Sequence, residues 1–162
     1  MSQHLQNGQL FPKIAVPAVK GGTLNLPADL RDSYAVVLIY RGHWCPFCID
    51  QLAAFAAANN ALSEEGIEVA AFSVDREESV LEVINKVGIT FRMGHSADVE
   101  AVVRAAGVYE TKHPTRGHYL ESTGFVLAPD GTVITAVYSS RAIGRLVPQD
   151  VIRLVSYWKS VA

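Results

Sequence analysis

The spacing of apolar positions changes several times along the chain, and each change marks an element. Residues 1–30 hold no sustained period; with Asn7-Gly8, Pro12, Pro17, Gly21-Gly22 and Pro27 they read as short extended pieces joined by turns. Val36-Val37-Leu38-Ile39-Tyr40 is a continuous apolar run rich in β-branched residues, the pattern of a strand buried on both faces. A helix is expected from about Pro46 to Glu65, because Pro46 suits its first position and Gly66 its carboxyl-terminal cap. Ile67 to Val74 returns as a second strand. Val80, Val83, Ile84 and Val87 then line one face of an amphipathic helix stopped by Gly88, and Val99, Val102, Val103 and Ala106 repeat the pattern before Gly107. Phe125 to Ala128, the turn Pro129-Asp130-Gly131, and Thr132 to Tyr138 spell strand, turn, strand. Val151, Leu154, Val155 and Trp158 give a last amphipathic helix, with Pro148 near its start.

Strands alternating with helices predict an α/β fold: a central sheet with helices on both faces, made mixed rather than parallel by the final hairpin. No linker, repeat or low-complexity run divides the chain, so residues 1–162 read as one domain. At 49% apolar, 19% charged and a mean hydropathy of +0.18, it has enough apolar surface for one core and too little charge for a disordered chain. The 14 Lys and Arg against 16 Asp and Glu leave a net charge of −2, with no basic surplus to mark a nucleic-acid or membrane-surface binder. No apolar stretch approaches a bilayer span, and MSQHLQNGQLFPK lacks the apolar segment of a secretory signal, so a cytoplasmic location is expected.

The two cysteines, Cys45 and Cys48, form Cys-Pro-Phe-Cys just past the first buried strand. A pair this close closes almost no loop and adds little stability, and in a cytosolic chain it points to redox chemistry or metal binding. If Pro46 is the first helical residue, Cys45 is the N-cap and Cys48 the third helical residue. A thiolate at the N-cap accepts the free N–H groups of the first turn and sits at the positive end of the helix dipole, which lowers its pKa. Cys48, one turn on, is within reach to resolve a mixed disulfide.

Tyr40-Arg-Gly-His-Trp-Cys-Pro-Phe-Cys48 resembles the active-site segment of peroxiredoxin-like proteins of the alkyl hydroperoxide reductase/thiol-specific antioxidant (AhpC/TSA) family. Trp-Cys-x-x-Cys is also similar to thioredoxins, and Cys-Pro-Phe-Cys to glutaredoxins. Gly22-Thr23-Leu24-Asn25-Leu26 looks like the family's opening hairpin, Ser73-Val74-Asp75 like its second strand, and Asp130-Gly131 like its late hairpin. The resemblance covers nearly the whole chain. It implies a thioredoxin-like fold with an N-terminal hairpin extension, a catalytic pair Cys45 and Cys48, and peroxide reduction through a dithiol–disulfide cycle. It also implies a peroxide or disulfide substrate and an external dithiol donor such as a thioredoxin or glutathione system. A homodimer is one assembly it suggests; no cofactor and no metal is called for.

The departures matter. The family pattern is Pro-x-x-x-Thr/Ser-x-x-Cys, with the last Cys attacking peroxide; here those positions hold Arg41, Cys45 and Cys48. The family arginine ahead of the late hairpin falls on Ser122. By family position Cys48 attacks and Cys45 resolves; by helix-cap physics the order is reversed. Arg41 and Arg145 are the candidates to restore the missing positive charge, each set against a plain solvated arginine, and Trp44 is the candidate cover of the thiols, set against a packing role. The alternatives are a thioredoxin- or glutaredoxin-like dithiol–disulfide reductase without peroxidase activity, and a non-catalytic zinc or interaction module. For zinc, His113 and His118 are the partners on offer, in a stretch that reads as a loop and lies far from Cys48 for a standard site.

Overall fold

The computed structural model describes residues 3–162. The turn-rich beginning contains an antiparallel hairpin, β1 (Ile14–Pro17) and β2 (Thr23–Leu26), with Ile14 opposite Leu26. The apolar run becomes β3 (Tyr34–Ile39). Then follow α1 (Pro46–Ala57), α2 (Asn59–Glu64), β4 (Ile67–Phe72), α3 (Glu77–Val87), β5 (Arg92–Gly94) and α4 (Val99–Ala106). A second hairpin, β6 (Glu110–His113) and β7 (Gly117–Leu120), precedes β8 (Thr123–Leu127), β9 (Val133–Tyr138) and α5 (Pro148–Val161).

The main sheet runs β5-β4-β3-β8-β9, with β3 parallel to β4 and antiparallel to β8. It is the mixed sheet expected, and β3 lies at its centre, buried on both faces as a run of Val, Leu and Ile demands. The sheet divides the core. Val36 and Leu38 face α1, α2, α3 and α5 through Leu52, Phe55, Leu62, Val80 and Val155. Val37 and Ile39 face the N-terminal hairpin and α4 through Leu24, Leu26, Val102 and Ala106. Gly88 and Gly107, at φ of 73° and 68°, end α3 and α4 in the left-handed conformation that favours glycine. No helix among the described residues is long and apolar enough to cross a membrane.

Three expectations are corrected. The helix foreseen over Pro46 to Glu65 breaks at Ala58, whose backbone (φ −91°, ψ 1°) leaves the helical region, and Asn59 donates its side-chain amide to Thr90 Oγ1 at 3.0 Å. The second strand stops at Phe72, freeing Ser73, Val74 and Asp75 to cross the carboxyl edge of the sheet. The His113–His118 stretch is the turn end of the β6–β7 hairpin, with Lys112 opposite His118. Pro114 and Gly117 masked the strand-forming Thr111 and Tyr119 on either side of them.

Candidate active site

Both cysteines hang from the carboxyl end of the central strand, where ligand chemistry gathers in open α/β sheets. After Ile39 the chain keeps one more contact, Tyr40 N–H to Phe72 O at 3.2 Å, then turns through Arg41, Gly42, His43 and Trp44. Asp75 fixes that turn: its carboxylate accepts the His43 backbone N–H at 2.8 Å and lies 3.3 Å from the ring Nδ1. Cys45 closes the turn by donating its N–H to Gly42 O at 3.1 Å and becomes the N-cap of α1, with Pro46 at the first helical position. Its Sγ accepts the Cys48 N–H at 3.4 Å. The cap geometry inferred from the sequence is therefore present. The two thiols lie close together but unbridged, and both residues are fully buried.

They sit at the edge of the apolar core, and two guanidiniums reach them there. Arg145, on the loop between β9 and α5, places Nη2 at 2.9 Å from Cys48 Sγ and 3.8 Å from Cys45 Sγ. It is held there by donating from Nη1 to Gln51 Oε1 at 2.6 Å and from Nε to Ala142 O at 2.5 Å. Arg41 approaches from the other side. Its backbone N–H meets Cys48 Sγ at 3.4 Å and its Nη1 meets Cys45 Sγ at 3.6 Å. The same guanidinium donates to Glu121 Oε1 at 2.8 Å and to the Tyr119 hydroxyl at 3.2 Å. Trp44 packs against this group: its ring lies 5.0 Å from the Arg41 guanidinium carbon, 4.9 Å from that of Arg116, and edge-on to Tyr119 at 4.9 Å.

These contacts set the acidity of the pair. The hydrogen bond from the Cys48 thiol, outweighing burial and joined by the Cys48 N–H, Arg41 and the charge of Arg145, brings the Cys45 pKa down to about 5. Cys48, which keeps the proton it shares with Cys45 and is buried, is pushed up. One sulfur of the pair therefore carries a negative charge at neutral pH while the other remains a thiol. The proton belongs to the pair rather than to one residue.

The structure brings Arg41, Trp44, Cys45, Cys48 and Arg145 into one site. Ser122, at the position where the family pattern has arginine, is buried at the entry to β8 and accepts the Ser139 N–H on its carbonyl at 2.9 Å. Sequence reasoning missed Gln51, Thr111, Tyr119 and Glu121. None left a clear signal: Glu121 stands in the mixed stretch Tyr119-Leu120-Glu121-Ser122-Thr123, and its burial, which calls for a cation from elsewhere, appears only in the fold. His113 and His118 do not approach the cysteines as ligands. The His113 ring nitrogen accepts the Thr115 and Arg116 N–H groups at 3.1 and 3.0 Å, and His118 pairs with Glu110 at 2.6 Å. Among the described residues no three His, Cys, Asp or Glu side chains converge to hold a metal.

Known proteins are similar to this chain over most of its length. A peroxiredoxin of Treponema denticola is 26% identical over 152 residues, covering 91% of this chain and 71% of that protein. A peroxiredoxin of Chlorobaculum tepidum is 28% identical over 144 residues, covering 85% of this chain and 65% of its own length. The chain thus spans about two-thirds of the length of these relatives. Among solved structures, a variant of the peroxiredoxin 6 of Arenicola marina superposes with a TM-score of 0.81 at 15% identity, over 96% of this chain and 74% of that one. AhpC of Mycobacterium tuberculosis gives 0.76 at 18% identity, over 98% and 96%. These likenesses make the fold thioredoxin-like, of the peroxiredoxin type. Residues 7–136 match the model of the AhpC/TSA family, and the chain belongs to that family of peroxiredoxin-like thiol oxidoreductases.

Proposed function

We propose that Cys45 and Cys48 form the redox centre of a thiol peroxidase that cycles between dithiol and disulfide. The observation that carries this reading is the pair of sulfurs on one helical turn between two guanidiniums, Arg41 and Arg145. The charged sulfur attacks one oxygen of the peroxide; an S–O bond forms, the O–O bond breaks, and an alkoxide or hydroxide leaves. The proton held by the other thiol neutralises that leaving group. The sulfur so ionised displaces hydroxide from the sulfenic acid, forming the Cys45–Cys48 disulfide. An external dithiol then returns both cysteines to the reduced state by exchange and is itself oxidised. Arg145 and Arg41 hold the thiolate before attack and face the charge that develops on the leaving oxygen. The lowered pKa of the pair falls on Cys45, while the family's attacking position is Cys48; whichever attacks, its mate is one turn away.

The test is stopped-flow oxidation of the reduced protein by hydrogen peroxide and by an organic hydroperoxide, with mass spectrometry of the Cys45→Ser and Cys48→Ser variants. We expect oxidation well above the rate of a free thiol and a loss of two hydrogens in the wild type. The serine variant that accumulates a sulfenic acid identifies the attacking sulfur. A wild-type rate equal to that of free cysteine removes the peroxidase reading. A dithiol–disulfide reductase is the second reading, favoured by the departures at Cys45 and Ser122 from the peroxidase pattern; turnover of insulin disulfides without peroxide reactivity would establish it.

A further inference from the structure

Glu121 is 2% exposed, and no buried carboxylate is retained without a partner. Its two oxygens are both engaged: Oε1 accepts from Arg41 Nε at 2.8 Å and Oε2 from Thr111 Oγ1 at 2.5 Å. Thr111 and Tyr119 stand opposite each other on β6 and β7, so the hairpin and Glu121 together form a socket for one guanidinium. With Nε on Glu121 and Nη2 on Tyr119, the remaining nitrogen, Nη1, is the group that faces Cys45 Sγ at 3.6 Å. The flexible arginine on the turn after β3 is thereby fixed by contacts some 80 residues further along the chain. The family pattern puts an arginine at 122 and a proline at 41; here the charge comes from 41, and the residue beside 122 supplies its anchor.

We infer that Glu121 is a positioning residue, whose buried carboxylate fixes the Arg41 guanidinium against the Cys45 sulfur in place of the arginine missing at position 122. The inference rests on the thiol-oxidoreductase reading of the same site, but it concerns only the ionisation of the pair. The groups facing Cys45 are the Cys48 thiol and N–H, Arg41 and Arg145; those facing Arg41 are Glu121, Tyr119 and Trp44. Glu121→Ala removes the anchor together with a negative charge; losing the charge alone would favour the thiolate, so a raised midpoint reads the loss of the anchor, with the freed arginine turning towards water from a side chain already 17% exposed.

The experiment titrates the ultraviolet absorbance of the thiolate against pH in reduced wild type, Glu121→Ala, Glu121→Gln, Arg41→Ala and the double Glu121→Ala/Arg41→Ala variant, with no peroxide present. Glu121→Ala and Arg41→Ala are each expected to raise the midpoint by about one unit, roughly tenfold less thiolate at a given acidic pH, the loss of one charge-assisted contact. The double variant is expected to go no further than either single, because both changes remove the same contact. Glu121→Gln is expected to keep the wild-type midpoint or fall below it, since its amide oxygen still accepts from Arg41 Nε and a negative charge is gone. An unshifted Glu121→Ala, additive shifts in the double variant, or a Glu121→Gln midpoint raised like that of Ala would each overturn the inference. Should Glu121→Ala not fold by circular dichroism, Glu121→Ser, polar but too short to reach Arg41, takes its place. A wild type that forms the thiolate yet ignores peroxide would end the peroxidase reading and leave this one standing.

Discussion

Above a pKa of about 5 the Cys45 sulfur is charged in the folded chain, whereas an unfolded cysteine ionises near ~8.5. Between those values the unfolded chain holds a proton that the folded chain has released, so stability rises with pH across that window. It is fully gained above the unfolded value and lost as pH falls through the folded one. We expect the stability of reduced wild type relative to Cys45→Ser, measured by urea denaturation, to grow from pH 5 towards pH 8; a difference flat in pH would mean that Cys45 is not the group that ionises. At this scale the sequence was readable in one direction. Cys45, Pro46 and Cys48 are neighbours in the chain, and cap geometry follows from their order alone. Glu121 finds its cation at Arg41, 80 residues away, and only the folded sheet shows that the two meet.

The first turn of α1 is only as firm as the helix behind it. Cys48, Leu52 and Phe55 fall on one face and are buried against the sheet and α3, so apolar packing on this stripe holds the helix at the angle that brings its amino end to Arg41 and Arg145. Phe55→Ala is expected to cost about 3–5 kcal/mol, the range for losing a buried aromatic ring, read from the midpoint of a denaturant titration; a cost under about 1 kcal/mol would mean that the helix is held by its cap and not by its face. Elements with a clear period were legible: β3, α3, α4 and α5 appear where the apolar spacing placed them. Three-residue β5 has no period to read, since Arg92-Met93-Gly94 becomes a strand only because β4 offers an edge. The β6–β7 hairpin escapes notice for a similar reason: its strands are four residues each, β6 is mostly exposed and β7 buries only Tyr119 and Leu120 side by side, so no hydrophobic alternation announces them. Yet this hairpin supplies Thr111, Arg116 and Tyr119 to the site.

Across the whole molecule, the mixed character of the sheet followed from strands alternating with helices and a late hairpin, while the strand order β5-β4-β3-β8-β9 is seen only in the fold. The burial of the thiols did not. A cap position and a nearby strand end say which sulfurs are acidic, but the cover over them is assembled from four separate regions, the turn after β3, the β6–β7 hairpin, Glu121 and the loop before α5. With both residues closed to solvent, any oxidant or reductant has to displace part of that cover, and Trp44 with Arg116 and Tyr119 is the part made of side chains rather than backbone.

The position of β3 decides how far such a disturbance can spread. Strands on both flanks and helices on both faces pin it, so its amides belong to the portion of the chain that opens last. Hydrogen exchange should therefore differ between oxidised and reduced protein in residues 45–49 and be the same in residues 34–39; matched changes in both would show the strand yielding with the helix. On the proposed cycle, one covalent link would be made and broken at the end of a scaffold that stays the same throughout.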